Sequence, residues 1–169
     1  MLRIQRRPLS TVVTTMPSIH SLSKKLAVDY PQFIFQEEKD FRWSFEDNTI
    51  SFNEVGSDAS AQLLHELSHA LLHHKTYERD IELIGLERDA WEYAKETLSN
   101  LYSTPITNDI VQTSLDSYRD WLHARSTCPT CTATGLEITK NTYRCPACGG
   151  EWKVNDARIC SLRRYRIQK

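Results

Sequence analysis

The sequence predicts an α+β protein, with a small antiparallel sheet and several helices in its main domain and a compact cysteine-rich module after it. Short runs rich in aromatic and β-branched residues lie between residues 33 and 53, as is typical of strands. Residues 57 to 125 contain longer stretches with apolar residues at helical spacing. Beyond Ser126 the composition changes to Cys, Pro, Gly and Thr, which indicates a domain boundary.

The charge distribution divides the chain at similar positions. The net charge is only −1, but residues 1 to 25 carry five basic and no acidic residues. Residues 26 to 122 carry seven basic and nineteen acidic residues, whereas residues 123 to 169 carry nine basic and three acidic ones. This asymmetry indicates an acidic body with a basic C-terminal module. No stretch approaches the roughly 18 apolar residues of a membrane-spanning helix, so no membrane partner is expected.

The first 16 residues, MLRIQRRPLSTVVTTM, are predicted to be a disordered leader. They are basic, rich in Ser and Thr and free of acidic residues, which is also the composition of an organelle transit peptide. They lack the continuous apolar core of a secretory signal. The simpler interpretation is a disordered tail or an overlong start with Met16 as the initiator, and organelle targeting is the alternative.

Residues 18 to 30 are predicted to form the first helix, which ends before Pro31. Its apolar residues lie near one face: Ile19, Leu22, Leu26 and Val28. The segments FIFQ, FRWSF and NTISFN follow and are predicted to be strands. The second and third of these flank Glu46-Asp47-Asn48, and we expect them to form a hairpin.

Three further helices are predicted in the main domain. The first begins near Ser57, whose hydroxyl is a candidate cap, and ends near His74. The second spans residues 81 to 102, with Gly85 as an alternative start. The third spans residues 108 to 125 and has an apolar stripe at helical spacing. The residues of this stripe are Ile110, Val111, Leu115, Tyr118 and Leu122.

The first of these three helices contains the motif His-Glu-x-x-His, in the stretch HELSH. His65 and His69 are four residues apart, so both imidazoles lie on one helix face and can reach a single ion. Glu66 is rotated by about 100° from His65, which places its carboxylate beside such an ion, where it can accept a proton from water. The alternative is an exposed polar helix that carries neighbouring histidines by chance.

A catalytic zinc site needs three protein ligands and one open position, so the motif requires a third ligand. His73 lies two turns beyond His65, about 12 Å along the helix axis, which is too far to share its ion. No histidine occurs between residues 75 and 122. The remaining candidates are carboxylates of the next helix: Glu82, Glu87, Asp89, Glu92 and Glu96.

The segments HELSHALLHH and ERDAWEYAKETL resemble the zinc helix and the following helix of the ImmA/IrrE family of zinc metallopeptidases. The second helix of that family has the pattern Glu-x-Glu-Ala-Asn-x-Phe-Ala. The residues in register with it here are Glu87, Asp89, Ala90, Tyr93 and Ala94. Trp91 stands at the Asn position, and His73 matches a histidine that commonly follows the zinc helix. The resemblance covers roughly residues 18 to 104.

The resemblance implies a zincin-like metallopeptidase domain over residues 17 to 125, with a catalytic zinc held by His65, His69 and Glu87. Glu66 is then the catalytic residue that accepts a proton from the attacking water. The substrates implied by the resemblance are regulatory proteins, often helix-turn-helix repressors.

Three further expectations concern the surroundings of this site. The resemblance also implies that Ala90, one turn after Glu87, lets the two helices pack closely. The segment NTISFN is a candidate edge strand for pairing with an extended substrate. Candidates for stabilising the developing oxyanion are Tyr77, His73 and Tyr93.

Cys128, Cys131, Cys145 and Cys148 have the spacing C-x2-C-x13-C-x2-C of a zinc ribbon, predicted over residues 126 to 156. Four thiolates close a tetrahedral site with no position for water, so this second zinc is predicted to be structural. Redox-active or disulfide-bonded pairs are the alternatives. Paired Cys-x-x-Cys motifs without a secretory signal are typical of a reducing compartment, so a cytoplasmic location is expected.

The remaining features of the ribbon and the tail are less specific. Gly149-Gly150 is expected at a turn, Trp152 in the small core of the ribbon, and Cys160 as an ordinary thiol. Residues 157 to 169 form a predicted basic tail that contacts nucleic-acid phosphates or an acidic protein, or is simply solvated. Its residues of interest are Arg158, Arg163, Arg164, Tyr165, Arg166 and Lys169.

These features together predict an intracellular zinc-dependent endopeptidase that cleaves a regulatory protein. Two alternatives stay open. A SprT-like DNA-associated protease also joins His-Glu-x-x-His to a C-terminal zinc ribbon, but it uses a third histidine that this chain does not offer. A catalytically inactive zinc-ribbon adaptor or DNA-binding protein would not need the carboxylate of Glu66.

Overall fold

The computed structural model describes residues 18–156 and 161–167. The predicted leader, residues 1–16, lies outside these residues, as do Arg158, Cys160 and Lys169. The described part of the chain is α+β, with two small sheets and a set of helices, so the predicted class is confirmed. None of the described helices is long and apolar enough to cross a membrane.

Helix α1, Ile19–Asp29, forms where the sequence predicts it. The Ser18 hydroxyl accepts a hydrogen bond from the backbone N–H of Ser21 at 3.3 Å, which caps the first turn. The residues that this helix buries are Ile19, Leu22, Ser23 and Leu26. Val28 is 78% exposed, so its predicted place on the apolar face is wrong. Two residues correspond to about 200° around a helix axis, which turns Val28 away from Leu26.

The first sheet contains β1, Ile34–Glu37, β2, Arg42–Ser44, and β3, Thr49–Phe52, in the order β1-β3-β2. β2 and β3 form the predicted antiparallel hairpin. Its turn places Asn48 at φ 50°, a conformation that Asn adopts more readily than most residues. β1 pairs with β3 in parallel, so the sheet is mixed and the prediction of an antiparallel sheet is wrong.

β3 is the central strand of this sheet and the most buried of its three strands. Ile50, Ser51 and Phe52 are buried, and β3 packs against the helix that follows it. β3 pairs with β1 on one side and with β2 on the other. The segment NTISFN is therefore not an edge strand, and its expected pairing with a substrate is wrong. The edge strand on the hairpin side is β2.

Helix α2, Ala59–Leu71, carries the His-Glu-x-x-His motif and is buried on most of its surface. Its N-cap residue is Asp58 instead of the predicted Ser57, whose hydroxyl bonds to Oδ1 of Asp58 at 3.2 Å. The residues that it buries are Ala59, Ala61, Leu63, Leu64, His65, Leu67, Ser68, His69 and Ala70. Two buried histidines on such a helix are costly unless their polar atoms have partners.

Helix α3, Asp80–Tyr93, continues into a π-helical turn, Ala94–Leu98, and a short helix α4, Ser99–Leu101. Together these elements cover the long helix predicted over residues 81 to 102. Gly85 lies inside α3, so it does not mark the start of the helix.

The start of α3 is stabilised by the side chain of Glu82. Its carboxylate accepts hydrogen bonds from the backbone N–H groups of Glu78 at 3.0 Å and Arg79 at 3.3 Å. Helix α5 spans Asn108–Ser126, and the side chain of Thr107, the residue before it, caps its first turn. α3 packs against both α2 and α5, so it is the central helix of the main domain.

The cysteine-rich module forms a second sheet in the order β4-β5-β6-β7, and all neighbouring strands are antiparallel. Its strands are β4, Leu136–Thr139, β5, Thr142–Arg144, β6, Glu151–Val154, and β7, Arg164–Arg166. Trp152 is fully buried and its ring stacks on Tyr143 with centroids 5.6 Å apart, so its predicted core position is confirmed. β7 lies in the predicted basic tail, which is therefore partly a strand of the ribbon.

A buried network around Arg125, at the end of α5, joins the main domain to the ribbon. The guanidinium donates to the Asp80 carboxylate at 2.5 and 3.3 Å. It also donates to the backbone carbonyl of Asn155 and the side chain of Asn141. The Tyr143 hydroxyl donates to the same Asp80 carboxylate. Asp80 is the first residue of α3, so the ribbon is tied to the start of that helix.

Candidate functional site

His65, His69 and Glu87 meet in the interior between α2 and α3. Nε2 of His65 lies 3.0 Å from Oε2 of Glu87 and 3.1 Å from Nε2 of His69. Nε2 of His69 lies 3.5 Å from the same carboxylate oxygen. All three side chains are buried. Three ligand atoms therefore converge in a geometry that can hold a metal ion.

Helix packing explains why Glu87 is the carboxylate at this point. The other acidic candidates of this region are exposed: Glu82, Asp89, Glu92 and Glu96. Glu87 is only 4% exposed, and it lies on the face of α3 that meets α2. Ala90, one turn later, is fully buried. Its expected role in letting α2 and α3 approach closely stays a prediction.

The two histidines keep Glu87 ionised. Burial by itself would raise the pKa of Glu87, but hydrogen bonds from His65 and His69 outweigh it and lower that pKa. An ionised carboxylate is the form that binds metals. A shared cation satisfies the lone pairs of all three groups at once, whereas hydrogen bonds among them require protons on the imidazoles.

Trp91 fixes the orientation of His65 from one side. The two rings stack with centroids 4.2 Å apart and planes inclined by 20°. Trp91 is only 1% exposed, and within the described chain Nδ1 of His65 has no hydrogen-bond partner. Stacking on Trp91 therefore holds the His65 imidazole in place.

α2 ends in a tight reversal that returns the chain toward His69. His73 adopts φ 56°, and its N–H donates to the carbonyl of Ala70 at 3.1 Å. The N–H of His74 donates to the carbonyl of His69 at 2.9 Å, which completes a Schellman motif. His73 is exposed, whereas Nδ1 of His74 lies 2.9 Å from Nδ1 of His69. Burial and then repulsion from His69 lower the pKa of His74.

Two of the three converging side chains, His69 and Glu87, border an open cleft of about 690 Å³. Glu66, which is half-buried, lines this cleft together with His69 and Glu87. The edge strand β2 contributes Arg42 and Trp43 to the same lining. The cleft thus brings together the Glu66 carboxylate, the candidate metal ligands His69 and Glu87, and the edge strand β2.

Two tyrosines line the same cleft. Tyr77 was among the expected oxyanion-stabilising candidates, whereas His73 and Tyr93 are not part of the lining. Tyr118 of α5 also lines the cleft, although the sequence assigns it to an apolar stripe. Helical periodicity alone does not distinguish a tyrosine packed in the core from one that borders a cleft, so no sequence signal identifies Tyr118.

The four cysteines of the ribbon form the second cluster. Sγ of Cys128 lies 3.7 Å from Sγ of Cys148, and Sγ of Cys131 lies 3.5 Å from Sγ of Cys145. All four sulfur atoms lie within 4.8 Å of one another and are free of disulfides. This arrangement can hold a metal ion with four ligands, as the spacing predicts.

The two Cys-x-x-Cys turns have the same backbone design. The N–H of Thr132 donates to the carbonyl of Cys128, and the N–H of Gly149 donates to the carbonyl of Cys145, both at 3.0 Å. Thr132 and Gly149 have φ values of 61° and 72°.

The backbone of Ala133 lowers the pKa of the Cys131 thiol. Hydrogen bonds with Cys145 and Cys148 outweigh this effect and raise the same pKa. Burial raises the pKa of the Cys128 thiol, but hydrogen bonds from the backbone and from neighbouring cysteines outweigh it and lower that pKa to about 6. A thiol with a lowered pKa is readily converted to the thiolate that binds metals.

No protein-family model, curated protein or solved structure matches the chain.

Proposed function

We propose that the protein is a zinc-dependent endopeptidase whose active site is the cleft beside His65, His69 and Glu87. The observation that carries this proposal is the convergence of three buried side chains, two of which, His69 and Glu87, line an open cleft that Glu66 also lines. Two imidazoles and one carboxylate form a donor set typical of catalytic zinc, which keeps one position open. The cysteine cluster offers four thiolates and suits a structural zinc.

The residues of the cleft have separate roles in the proposed reaction. His65, His69 and Glu87 would hold the zinc, which would supply a Lewis acid and lower the pKa of water toward 7. Glu66 accepts a proton from the attacking water and then donates it to the leaving amine. Glu87 contributes negative charge to the cation site, and stacking of Trp91 holds the His65 imidazole in place.

An extended polypeptide is the substrate class that the cleft favours. β2 pairs with β3 on one side and is the terminal strand of its sheet, so its other edge offers backbone groups for strand addition. Arg42 and Trp43 of this strand line the cleft. The ImmA/IrrE resemblance adds the expectation that the substrate is a regulatory protein such as a helix-turn-helix repressor. An intracellular location stays a prediction.

The proposed role of the ribbon is to stabilise the start of α3 and to present a basic surface. Arg164 and Arg166 donate to the backbone carbonyls of Thr127 and Pro129 at 3.0 and 3.1 Å, yet both side chains stay exposed. A contact with nucleic acid or an acidic protein through these residues stays a prediction.

Metal content tests the ligand assignment. We expect the zinc-reconstituted protein to hold two ions per chain, one for each cluster. Glu87→Ala removes the carboxylate of the histidine cluster and is expected to lose one ion, measured by elemental analysis after gel filtration. A Cys145→Ser/Cys148→Ser variant is expected to lose the other.

Glu92→Ala is the matched control, because Glu92 is an exposed carboxylate on the same helix. This variant is expected to keep both ions. Retention of two ions by Glu87→Ala would contradict the assignment of Glu87 as a ligand.

Peptidase activity is tested with a library of peptides from a digested proteome, in which new termini are mapped by mass spectrometry. The zinc-loaded protein is expected to cleave internal peptide bonds, and the chelator-treated protein is expected to leave them intact. If a protein that holds both ions produces no new termini, the proposal is wrong and the inactive-adaptor alternative is favoured.

A further inference from the structure

We propose that His74 is a positioning residue that fixes the orientation and the tautomer of His69. The inference rests on the proposed metal site, but it concerns a residue outside the three ligands. The contact that carries it joins Nδ1 of His74 to Nδ1 of His69 at 2.9 Å. The two rings have centroids 5.0 Å apart and planes inclined by 70°, so they meet edge to face and do not stack.

The chemistry of this contact selects one tautomer of His69. Nε2 of His69 is the nitrogen that faces His65 and Glu87, and metal binding requires its lone pair. The proton of a neutral His69 imidazole must then sit on Nδ1. Two nitrogen atoms 2.9 Å apart form a hydrogen bond when one donates and the other accepts. His74 accepts this bond through Nδ1 and carries its own proton on Nε2.

The backbone around His74 is built to hold this arrangement. The Schellman reversal at His73 brings His74 back over the last turn of α2. The indole Nε1 of Trp43 then donates to the carbonyl of His74 at 2.9 Å. Trp43 belongs to β2, the edge strand that lines the cleft. His74 therefore connects a ligand histidine to the strand proposed to bind the substrate.

A hydrogen-bond acceptor behind a metal-binding imidazole commonly contributes about 10–100-fold to metal affinity. We expect His74→Phe, which keeps an aromatic ring but removes the acceptor, to weaken metal binding at the histidine cluster by about this factor. His74→Asn places a carbonyl oxygen near the position of Nδ1 and is expected to restore most of the affinity. His73→Asn removes the neighbouring exposed imidazole and keeps a residue that tolerates positive φ, so its affinity is expected to match wild type.

The probe is Co²⁺, titrated into each full-length protein in competition with a chromophoric chelator. Co²⁺ bound by four thiolates also absorbs strongly in the visible range, so the ribbon is first filled with one equivalent of Zn²⁺. The remaining visible bands then report Co²⁺ at the histidine cluster. We expect the visible bands of Co²⁺ at the histidine cluster to shift in His74→Phe and to return to their wild-type positions in His74→Asn. If the Phe variant does not fold, judged by circular dichroism, His74→Leu supplies the same comparison.

The outcomes separate this inference from the proposed function. If wild-type protein shows no metal binding at the histidine cluster, the proposed function fails. If wild type binds but His74→Phe binds as tightly, His74 does not position His69. Equal weakening by the Phe and Asn variants would show that His74 acts through packing alone, which also overturns the inference.

Discussion

Glu66→Gln is expected to stop peptide cleavage and to leave both zinc ions bound. Gln has the shape of Glu but cannot accept a proton at neutral pH, so the variant loses the general base. General acid–base catalysis contributes about 10²–10⁴-fold, and we expect the cleavage rate to fall by this factor. The measurement is the initial rate on the peptide that the wild-type protein cleaves fastest, together with zinc content.

Glu92→Gln is the control for the loss of one carboxylate, because Glu92 is exposed and does not line the cleft. Its cleavage rate is expected to equal that of wild type. A Glu66→Gln variant that cleaves at the wild-type rate would show that Glu66 is not the base. Loss of zinc in the same variant would instead assign Glu66 to the ligand set.

Arg125→Met is expected to destabilise the protein by about 3–5 kcal/mol, the usual cost of removing one partner of a buried ion pair. Arg125 is 1% exposed and Asp80 is 2% exposed, so the remaining carboxylate would be left buried without its cation. The hydrogen bonds to Asn141 and Asn155 of the ribbon would be lost as well. The measurement is urea denaturation followed by circular dichroism, with zinc in excess.

Arg119→Met is the matched control on the same helix. Arg119 pairs with Asp116 at 2.7 Å, but the two side chains are 50% and 63% exposed. Exposed ion pairs contribute little, and we expect a loss of at most about 1 kcal/mol. Equal destabilisation by the two variants would contradict the view that the buried network holds the ribbon to α3.

The sequence predicted the secondary structure of this protein well where the signal is local. The helices around residues 19 to 29 and 108 to 126 appear at the expected positions, because apolar spacing and capping side chains are properties of neighbouring residues. The hairpin of β2 and β3 follows from two short strands and a turn. The parallel pairing of β1 with β3 was missed, because β2 lies between these strands in the sequence and their pairing is a tertiary contact.

The candidate site was likewise predictable from the sequence only where the signal is local. His65, Glu66 and His69 are identified by their spacing on one helix. The helix predicted over residues 81 to 102 contains five carboxylates, and helical periodicity does not indicate which of them is the third ligand. The choice of Glu87 came from a family resemblance, and the structure places that residue beside both histidines. The contact of His74 with His69 was beyond prediction, because it depends on a backbone reversal at a residue with positive φ.

The sequence by itself determined the α+β class, the pair of histidines on α2 and the four-cysteine cluster. Each of these depends on spacing along the chain, which local geometry converts directly into proximity. Only the tertiary structure decided that β2 is an edge strand and that Arg125 pairs with Asp80. These features join residues far apart in sequence, and helix and sheet packing brings them together.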